Sequence, residues 1–453
     1  MAVNNLPSAI QSVIQQGFLQ HQFGLPLKAV LGFRAIADRE SFMANIGETI
    51  TKTRTGLLPA ITTAMSPAAN SDITSGLTAQ NYAVEQYALA IAQYAGMMQL
   101  NVATSRVAID NLFLRNAYAL GEQSFRSIDA LAQSALFNTY MGGNTRVRTT
   151  LGTAGVTISV DDIRGFQTTL NSAGQPVAVS SSNPVNVTVG SNVYSLTGFA
   201  ADGTNVSTAP GGVSGTLTFA SSVTVADGTA GNAVVSAVAP YIIRPSLASS
   251  QVMKTTTAAI SSSNDVNNGK LTMQMILNAK ATMAANGVPP VDATGMYVLY
   301  CDPLQATGLY QDPAFQYFFR GQVQSEEYRR GIVAELLGVR IQETNMNPVQ
   351  TLASVGVVRR AVLCGQGALV EGVFTDDAYA AASEADDNDG SIIVVDGIAH
   401  VTREPLDALK QVVTQSWSYI GGFVAPSDTT ANAASIPTAT NSAYKRAIIL
   451  ESL

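Results

Sequence analysis

His21 and His400 are the only histidines in this chain of 453 residues. An imidazole serves catalysis when it reaches a thiol, hydroxyl or carboxylate, and serves zinc when further ligands stand at helical or strand spacing. Neither histidine has such company in the sequence, so both read as structural or surface residues. Cys301 and Cys364 lie in the apolar contexts VLYCD and AVLCG. They read as two buried reduced thiols, with a disulfide as the alternative. No G-x-S-x-G, Walker loop, C-x-x-C or H-E-x-x-H occurs. The densest group of oxygen ligands is the acidic run from Glu384 to Gly390, which holds Asp386, Asp387 and Asp389. A calcium loop needs a fixed register closed by a bidentate Glu, and this run has neither. It reads as a solvated acidic loop, with weak divalent-ion binding at those three aspartates as the alternative. Asn186-Val187-Thr188 and Asn205-Val206-Ser207 match glycosylation acceptors. Without a secretory leader they carry no meaning. The expectation is a protein with no catalytic residue and no cofactor.

Composition narrows the class further. Hydrophobic residues make up 46% and charged residues 13%, so the chain is globular, with about half the usual charge. A protein that buries its flanks against copies of itself needs few solvating charges, although a secreted β-protein would share this composition. Net charge is −7, and no run of Lys or Arg exceeds two residues. Counterion release on nucleic acid requires clustered cations, which excludes a dedicated DNA-binding role. The first twenty residues contain no cation and do not form a secretory signal. No long uncharged apolar run predicts a membrane span.

The elements that would position any functional surface follow from periodicity. Residues 1–45 form an N-terminal arm broken at Gly17 and at Gly24-Leu25-Pro26. Residues 46–101 predict two long β segments around a polar tip, with Tyr87, Leu89 and Ile91 spaced by two on one face. Such a ribbon has too little apolar surface to stand alone and needs a neighbour. An ordinary surface hairpin, its edge guarded by Lys52 and Arg54, is the alternative. From Ser105 to Tyr140 the spacing predicts a long helix, with Leu114, Tyr118, Gly121, Phe125, Ile128, Ala132 and Leu136 as its apolar stripe. Arg115, Glu122, Arg126, Asp129 and Gln133 fall mainly off that stripe, and Gly142-Gly143 is the predicted cap. Between residues 165 and 243 only Asp202 and Asp227 carry charge, while short alternating segments such as Val185-Asn186-Val187-Thr188-Val189 recur between turns. That pattern predicts a small β-sandwich or barrel, with a low-complexity loop as the competitor. A second helix is expected over Lys270 to Asn286, followed by further strands, and Asn441 to Leu453 is a tail strand or a frayed end.

The stretch from Tyr297 to Asn345 is the most specific. It runs as a strand (Tyr297 to Cys301), a turn at Pro303, a short helix with Leu309 and Asp312, and an aromatic run from Phe315 to Phe319. Gly331 and then Gly338-Val339-Arg340-Ile341 with Glu343-Thr344 complete it. This order resembles the major capsid proteins of tailed bacteriophages, in the N-four-like branch. The resemblance reaches back over residues 40–150 and forward to about 425, and omits 160–245.

It implies an α+β, Hong-Kong-97-type phage capsid fold with an inserted all-β domain. The expected parts are an N-terminal arm (1–45), an extended β-hairpin loop with peripheral-domain strands (46–101), and a spine helix (102–159). An inserted β-sandwich-like domain (160–245), an axial domain (246–375), and return strands with a C-terminal tail (376–453) follow. The implied function is that of a self-assembling subunit of an icosahedral head enclosing double-stranded DNA, located in the virion and assembled in the host bacterial cytoplasm. Implied partners are further copies in hexameric and pentameric capsomers, separate scaffolding and portal proteins, a decoration protein, and weak non-specific contact with packaged DNA, with no membrane. Lys52, Arg54, Tyr87, Arg115 and Arg126 are the candidate inter-subunit contacts. The rivals are an encapsulin-like compartment shell and a bacterial surface or adhesin-type β-protein. The large β insertion weighs against the first, and the lack of a leader and the long helix weigh against the second.

Overall fold

Period-two alternation dominates the chain, and the structure turns it into three main sheets. The structure is a computed structural model that describes residues 21, 23, 32–42, 49–55, 62, 84–101, 112–170, 176–202, 213–236, 242–243, 269–291, 295–319, 335–352, 356–374, 392–403, 411–426 and 446–453. The acidic run with Asp386, Asp387 and Asp389 lies outside these residues, as do most of the arm and the hairpin tip.

The first sheet is organised around Val412–Val424. One side of this strand pairs with Ile398–Arg403, beyond which lies Ile392–Val395, and its end pairs with Leu369–Phe374, beyond which lies Ala37–Phe42. The other side pairs with Ala92–Asn101. Gln415, Trp417 and Tyr419 alternate onto one buried face. Helix α1 (Leu112–Tyr140) lies on that face, where Leu120 and Ile128 join Ile398, Trp417 and Tyr419. The Trp417 indole N–H donates to the Gln123 side chain at 3.1 Å. At 1.5 Å per residue the helix is about 43 Å long, and Gly143 (φ 76°) ends it in the left-handed region.

The inward line of α1 differs from the predicted stripe. Tyr118 is 43% exposed, while Ala117, Ser124 and Ala132 face inward with Leu120, Ile128 and Leu136. The sheet already supplies the bulk through Trp417 and Tyr419, so small helix residues meet it and the larger neighbour turns outward. Asp129 and Gln133, placed off the stripe, are buried. Asp129 accepts the Arg34 backbone N–H at 3.2 Å, and Gln133 donates to the Met346 carbonyl.

The third sheet has the order Ile242–Ile243, Ala447–Ser452, Gly356–Cys364, Tyr297–Cys301, Val339–Glu343, Glu335–Leu336, with Val349–Leu352 also on Gly356–Cys364. Both faces are covered. Tyr297, Leu299 and Cys301 point toward helix α2 (Met273–Ala285), while Val298 and Tyr300 point toward Leu136, Phe137 and Tyr140 of α1. Burial on both faces explains the unbroken apolar run YVLYC. Asp302 then caps α3 (Pro303–Tyr310) in a reciprocal box with Gln305. The aromatic run is itself a helix, α4 (Pro313–Phe319), with Phe315 buried and Tyr317 75% exposed. The last strand is no frayed end. All six residues of Ala447–Ser452 are buried, and they pair along Gly356–Cys364.

The middle sheet has the order Asn144–Arg146, Ala233–Ser236, Val185–Val189, Asn192–Ala201, Gly215–Val223, Gly155–Val160. Its two ends are stitched by a Val147–Val160 bridge and by Arg148 N–H donating to the Ser159 carbonyl at 2.8 Å. The sheet therefore closes into a small barrel around Ile158, Val187, Val189, Leu196, Leu217, Phe219 and Val234. A small β-sandwich or barrel over 160–245 was expected. The sheet closes as a barrel, and its strands reach back to Asn144–Arg146, because pairing along Gly155–Val160 is indifferent to the charges on which the sequence range was drawn. Both charges kept inside 165–243 have structural work. Asp202 pairs with Arg148 at 2.7 Å. Asp227 accepts from Tyr194, Asn192, Thr224 and the Ser191 N–H. Burial opposes its charge, but these donors outweigh burial and hold the carboxyl at about 2.

A buried ionic seam fastens the barrel to the third sheet. Glu451 accepts from Arg360 at 3.1 Å and pairs with Arg146 at 3.6 Å, while Arg146 also lies 3.9 Å from Asp161. Removing one member of a buried cluster strands the others in low dielectric. Glu451→Gln is expected to lower stability by about 3–5 kcal/mol, read as a drop in the denaturant midpoint of the soluble chain.

Candidate inter-subunit surface and its anchors

The ribbon predicted over residues 46–101 has its two strands, Thr49–Thr55 and Val84–Ala90, paired antiparallel with Lys52 opposite Tyr87 and Arg54 opposite Glu85. Its root is seated in the chain's own core. Leu89 is fully buried and Tyr87 is 5% exposed, packed with Ile50 and Ile91 against Val370 and Val424 of the first sheet. Tyr87, one of the candidate contacts, has its ring packed into the root of the ribbon. Lys52 is about one-third exposed and pairs within the chain, its Nζ 2.6 Å from Glu40 Oε2. Arg54 keeps its register position, and its side chain lies outside the described set.

Arg115 and Arg126 are both exposed on α1. They are not brought together with Lys52 by any described contact. Arg126 lines an open groove of about 500 Å³ with Glu122, Gln123, Ser127 and Met346. This groove runs along the solvent side of the helix whose opposite side holds the first sheet.

The arm is held at its root by a polar centre that periodicity alone does not reveal. Glu371 is fully buried. Its carboxylate accepts from Arg34 Nε at 2.8 Å and from the Tyr419 hydroxyl at 2.8 Å, and Arg39 Nε lies 3.3 Å away. Arg34 and Arg39 continue to Asp396 at 3.0 and 2.9 Å. Asp396 (φ 53°) and Gly397 (φ 77°) form the left-handed two-residue turn of a hairpin. Burial, followed by the charge of Glu371, pushes the Tyr419 hydroxyl up. One sequence signal exists for this centre: a lone glutamate inside the apolar run LVEGVF.

His400 is fully buried on the helix-facing side of the first sheet, its ring 4.9 Å from Phe23. Neither ring nitrogen has a hydrogen-bond partner among the described residues. Burial pushes its pKa down to about 4, so the ring is neutral at physiological pH. His21 is exposed. Both cysteines are buried free thiols. Cys301 faces α2 and Cys364 faces α1, on opposite sides of one sheet, which excludes the disulfide alternative. Burial pushes the Cys301 thiol up to about 12 and that of Cys364 higher still. Neither offers a thiolate for chemistry at neutral pH.

No protein-family profile matches this chain, and no curated protein sequence matches it. Among solved structures it is similar to the capsid of Ralstonia phage GP4, at 12% identity and a TM-score of 0.49, over 92% of this chain and 87% of that one. It is also similar to the capsid of Cyanophage P-SCSP1u, at 11% identity and a TM-score of 0.46, over 93% and 88% of the two chains. A third similar structure is the Cyanophage Pam1 capsid, at 12% identity and a TM-score of 0.46, over 92% and 88%.

Two outcomes follow from the buried groups. Above about pH 6.5 His400 is neutral whether the chain is folded or unfolded, and its linkage to stability is flat. As pH falls from about 6.5 toward 4, the unfolded chain takes up a proton that the folded chain refuses, so stability declines and then levels. The total decline is about 3 kcal/mol, and His400→Leu should remove that part of the slope in midpoints measured between pH 7.5 and 4. Glu371→Gln should weaken the hold on Arg34 and Arg39, seen as faster amide exchange across residues 33–42 with exchange in Tyr297–Cys301 unchanged.

Proposed function

We propose that this chain is the major capsid protein of a tailed phage, with a Hong-Kong-97-type fold. The observation that carries this reading is the order of its parts. A two-stranded ribbon, Thr49–Thr55 with Val84–Ala90, precedes a 29-residue helix laid across a sheet. A second sheet backed by helix α2 follows later in the chain, built partly from the segment whose motifs resemble the family. That is the order of extended loop, spine helix and axial domain that the resemblance implies.

In this reading the first sheet and α1 form the peripheral domain, and the third sheet with α2 forms the axial domain. The barrel from Asn144 to Ser236 is an insertion on the outer surface of the shell. It is polar, with only Asp202 and Asp227 charged beyond Arg164, and the interior must accommodate DNA. Copies assemble into hexameric and pentameric capsomers with the aid of separate scaffolding and portal proteins. A decoration protein is a further partner on the outside, and packaged DNA touches the inner surface weakly. Assembly takes place in the host bacterial cytoplasm, and the chain performs no catalysis. Lys52, Arg54, Arg115 and Arg126 contact neighbouring subunits, where rim charges give register more than affinity.

The ribbon supplies the test. A two-stranded ribbon is marginal in isolation, and the sequence of this one offers little apolar surface of its own. Deleting residues 56–78 is expected to leave soluble chain or aggregate but no closed shells by negative-stain microscopy, where the intact chain forms them. Closed particles from the deletion would remove the ribbon from the interface. An intact chain that stays monomeric across protein concentration and ionic strength would overturn the shell reading itself.

A further inference from the structure

Among the described residues, the first sheet leaves one long edge open. Ala92–Asn101 pairs along its whole length with Val412–Val424, from Asn101 opposite Val412 to Ala92 opposite Gly421, with no register shift. No strand pairs with its other side among the described residues. Sheet edges are usually guarded by charges, proline, bulges or shortness, because their free N–H and C=O groups template further pairing. The same sheet follows that rule elsewhere. Its far edge, Ala37–Phe42, carries Asp38, Arg39 and Glu40, and its remaining outer strand, Ile392–Val395, has only four residues. The edge at Ala92–Asn101 has none of these guards. No Asp, Glu, Lys, Arg or Pro occurs from Gln86 to Ser105. Met97 is 63% exposed and Met98 is 37% exposed, and Gln93, Ala95, Gln99 and Asn101 are exposed beside them.

We infer that this edge is extended by a strand from a second copy of this chain, added to the first sheet through main-chain hydrogen bonds. The inference rests on the shell-subunit reading for the identity of the occupant. The chemistry of the edge agrees with that occupant. With no charge over twenty residues it cannot select nucleic acid or a charged peptide by complementarity. What it offers is backbone groups, amide side chains and two thioethers, a surface met by another weakly charged strand. It is also continuous with the proposed contact surface. Val84–Ala90 of the ribbon runs through Ile91 straight into Ala92–Asn101, so the edge continues a strand of the proposed contact surface.

The test uses the full chain with a benzophenone amino acid at Gln99, assembled from a mixture of ¹⁴N- and ¹⁵N-labelled protein and irradiated. Mass spectrometry of the particles is expected to recover a cross-link between a light and a heavy peptide, absent from dilute unassembled protein. In parallel, a chain carrying Ala95→Lys and Met97→Lys, both at exposed positions that place guards on the edge, should keep its circular dichroism and melting profile. It should assemble about tenfold more slowly. Cross-links confined to one chain, cross-links to a different protein, or wild-type assembly of a folded double-lysine chain would each overturn the inference. If shells form normally and no intermolecular cross-link appears, the edge falls and the shell reading stands. If the intact chain forms no particles, the shell reading falls first. Should the double-lysine chain fail to fold, the cross-link alone decides.

Discussion

The last turns of helix α1 sit between two sheets, and the arrangement of everything else follows from that wedge. Leu136, Phe137 and Tyr140 fill one core with Phe33 and Leu369 on the first-sheet side and with Tyr300, Val362 and Ile449 on the third-sheet side. The Tyr140 hydroxyl donates to the Ala368 carbonyl at 3.1 Å, at the point where the chain leaves Gly356–Cys364 and begins Leu369–Phe374. A helix with one sheet under it could slide along the ridges of that sheet. One wedged between two sheets, and hydrogen-bonded where the chain crosses from one to the other, has a single seating. The ribbon, the arm root and the barrel all attach close to this fixed axis.

Charge is scarce in this protein, and much of it is spent inward. Arg34 with Glu371, Arg360 and Arg146 with Glu451, and Arg164 with Asp162 are buried clusters that join segments distant in sequence or secure a turn. Arg164 also donates to Asn138 near the end of α1. Apolar packing of similar volume would stabilise the fold as well as a buried ion pair does, but would accept more than one alignment. The clusters act as keys: a strand displaced by one residue would place like charges together or leave one stranded.

Local patterns were legible where local physics decides. The helix ending at Gly143, the turn and short helix at Pro303, the valine alternation at Val185–Val189 and the two-stranded ribbon could be read because turn signals, capping and period-two burial are written in adjacent residues. The failures share one cause. Tyr118, Asp129 and the strand Ala447–Ser452 were misplaced or left open because their surroundings come from segments distant in sequence or from another sheet. Asp129 looks solvated on a helical wheel and is buried against the backbone at Gly32 and Arg34. The barrel was recognised as β-rich, but its strands Asn144–Arg146 and Gly155–Val160 fell outside the range drawn from charge, since their pairing partners are distant in sequence.

The barrel leaves and rejoins the rest of the chain at touching points. The Ser236 N–H donates to the Gly143 carbonyl at 2.8 Å, and Asn144 lies opposite Val235. Such a neck behaves as a cassette boundary, across which one domain could be exchanged for another in the course of descent without disturbing the helix before it. The exchange is not free. Glu451 and Arg360 wait on one side of the neck for Arg146, and Asn138 waits on the other for Arg164. Any module that takes this place inherits two sockets already wired for charge, and the surfaces such proteins can evolve are bounded by what fits those sockets.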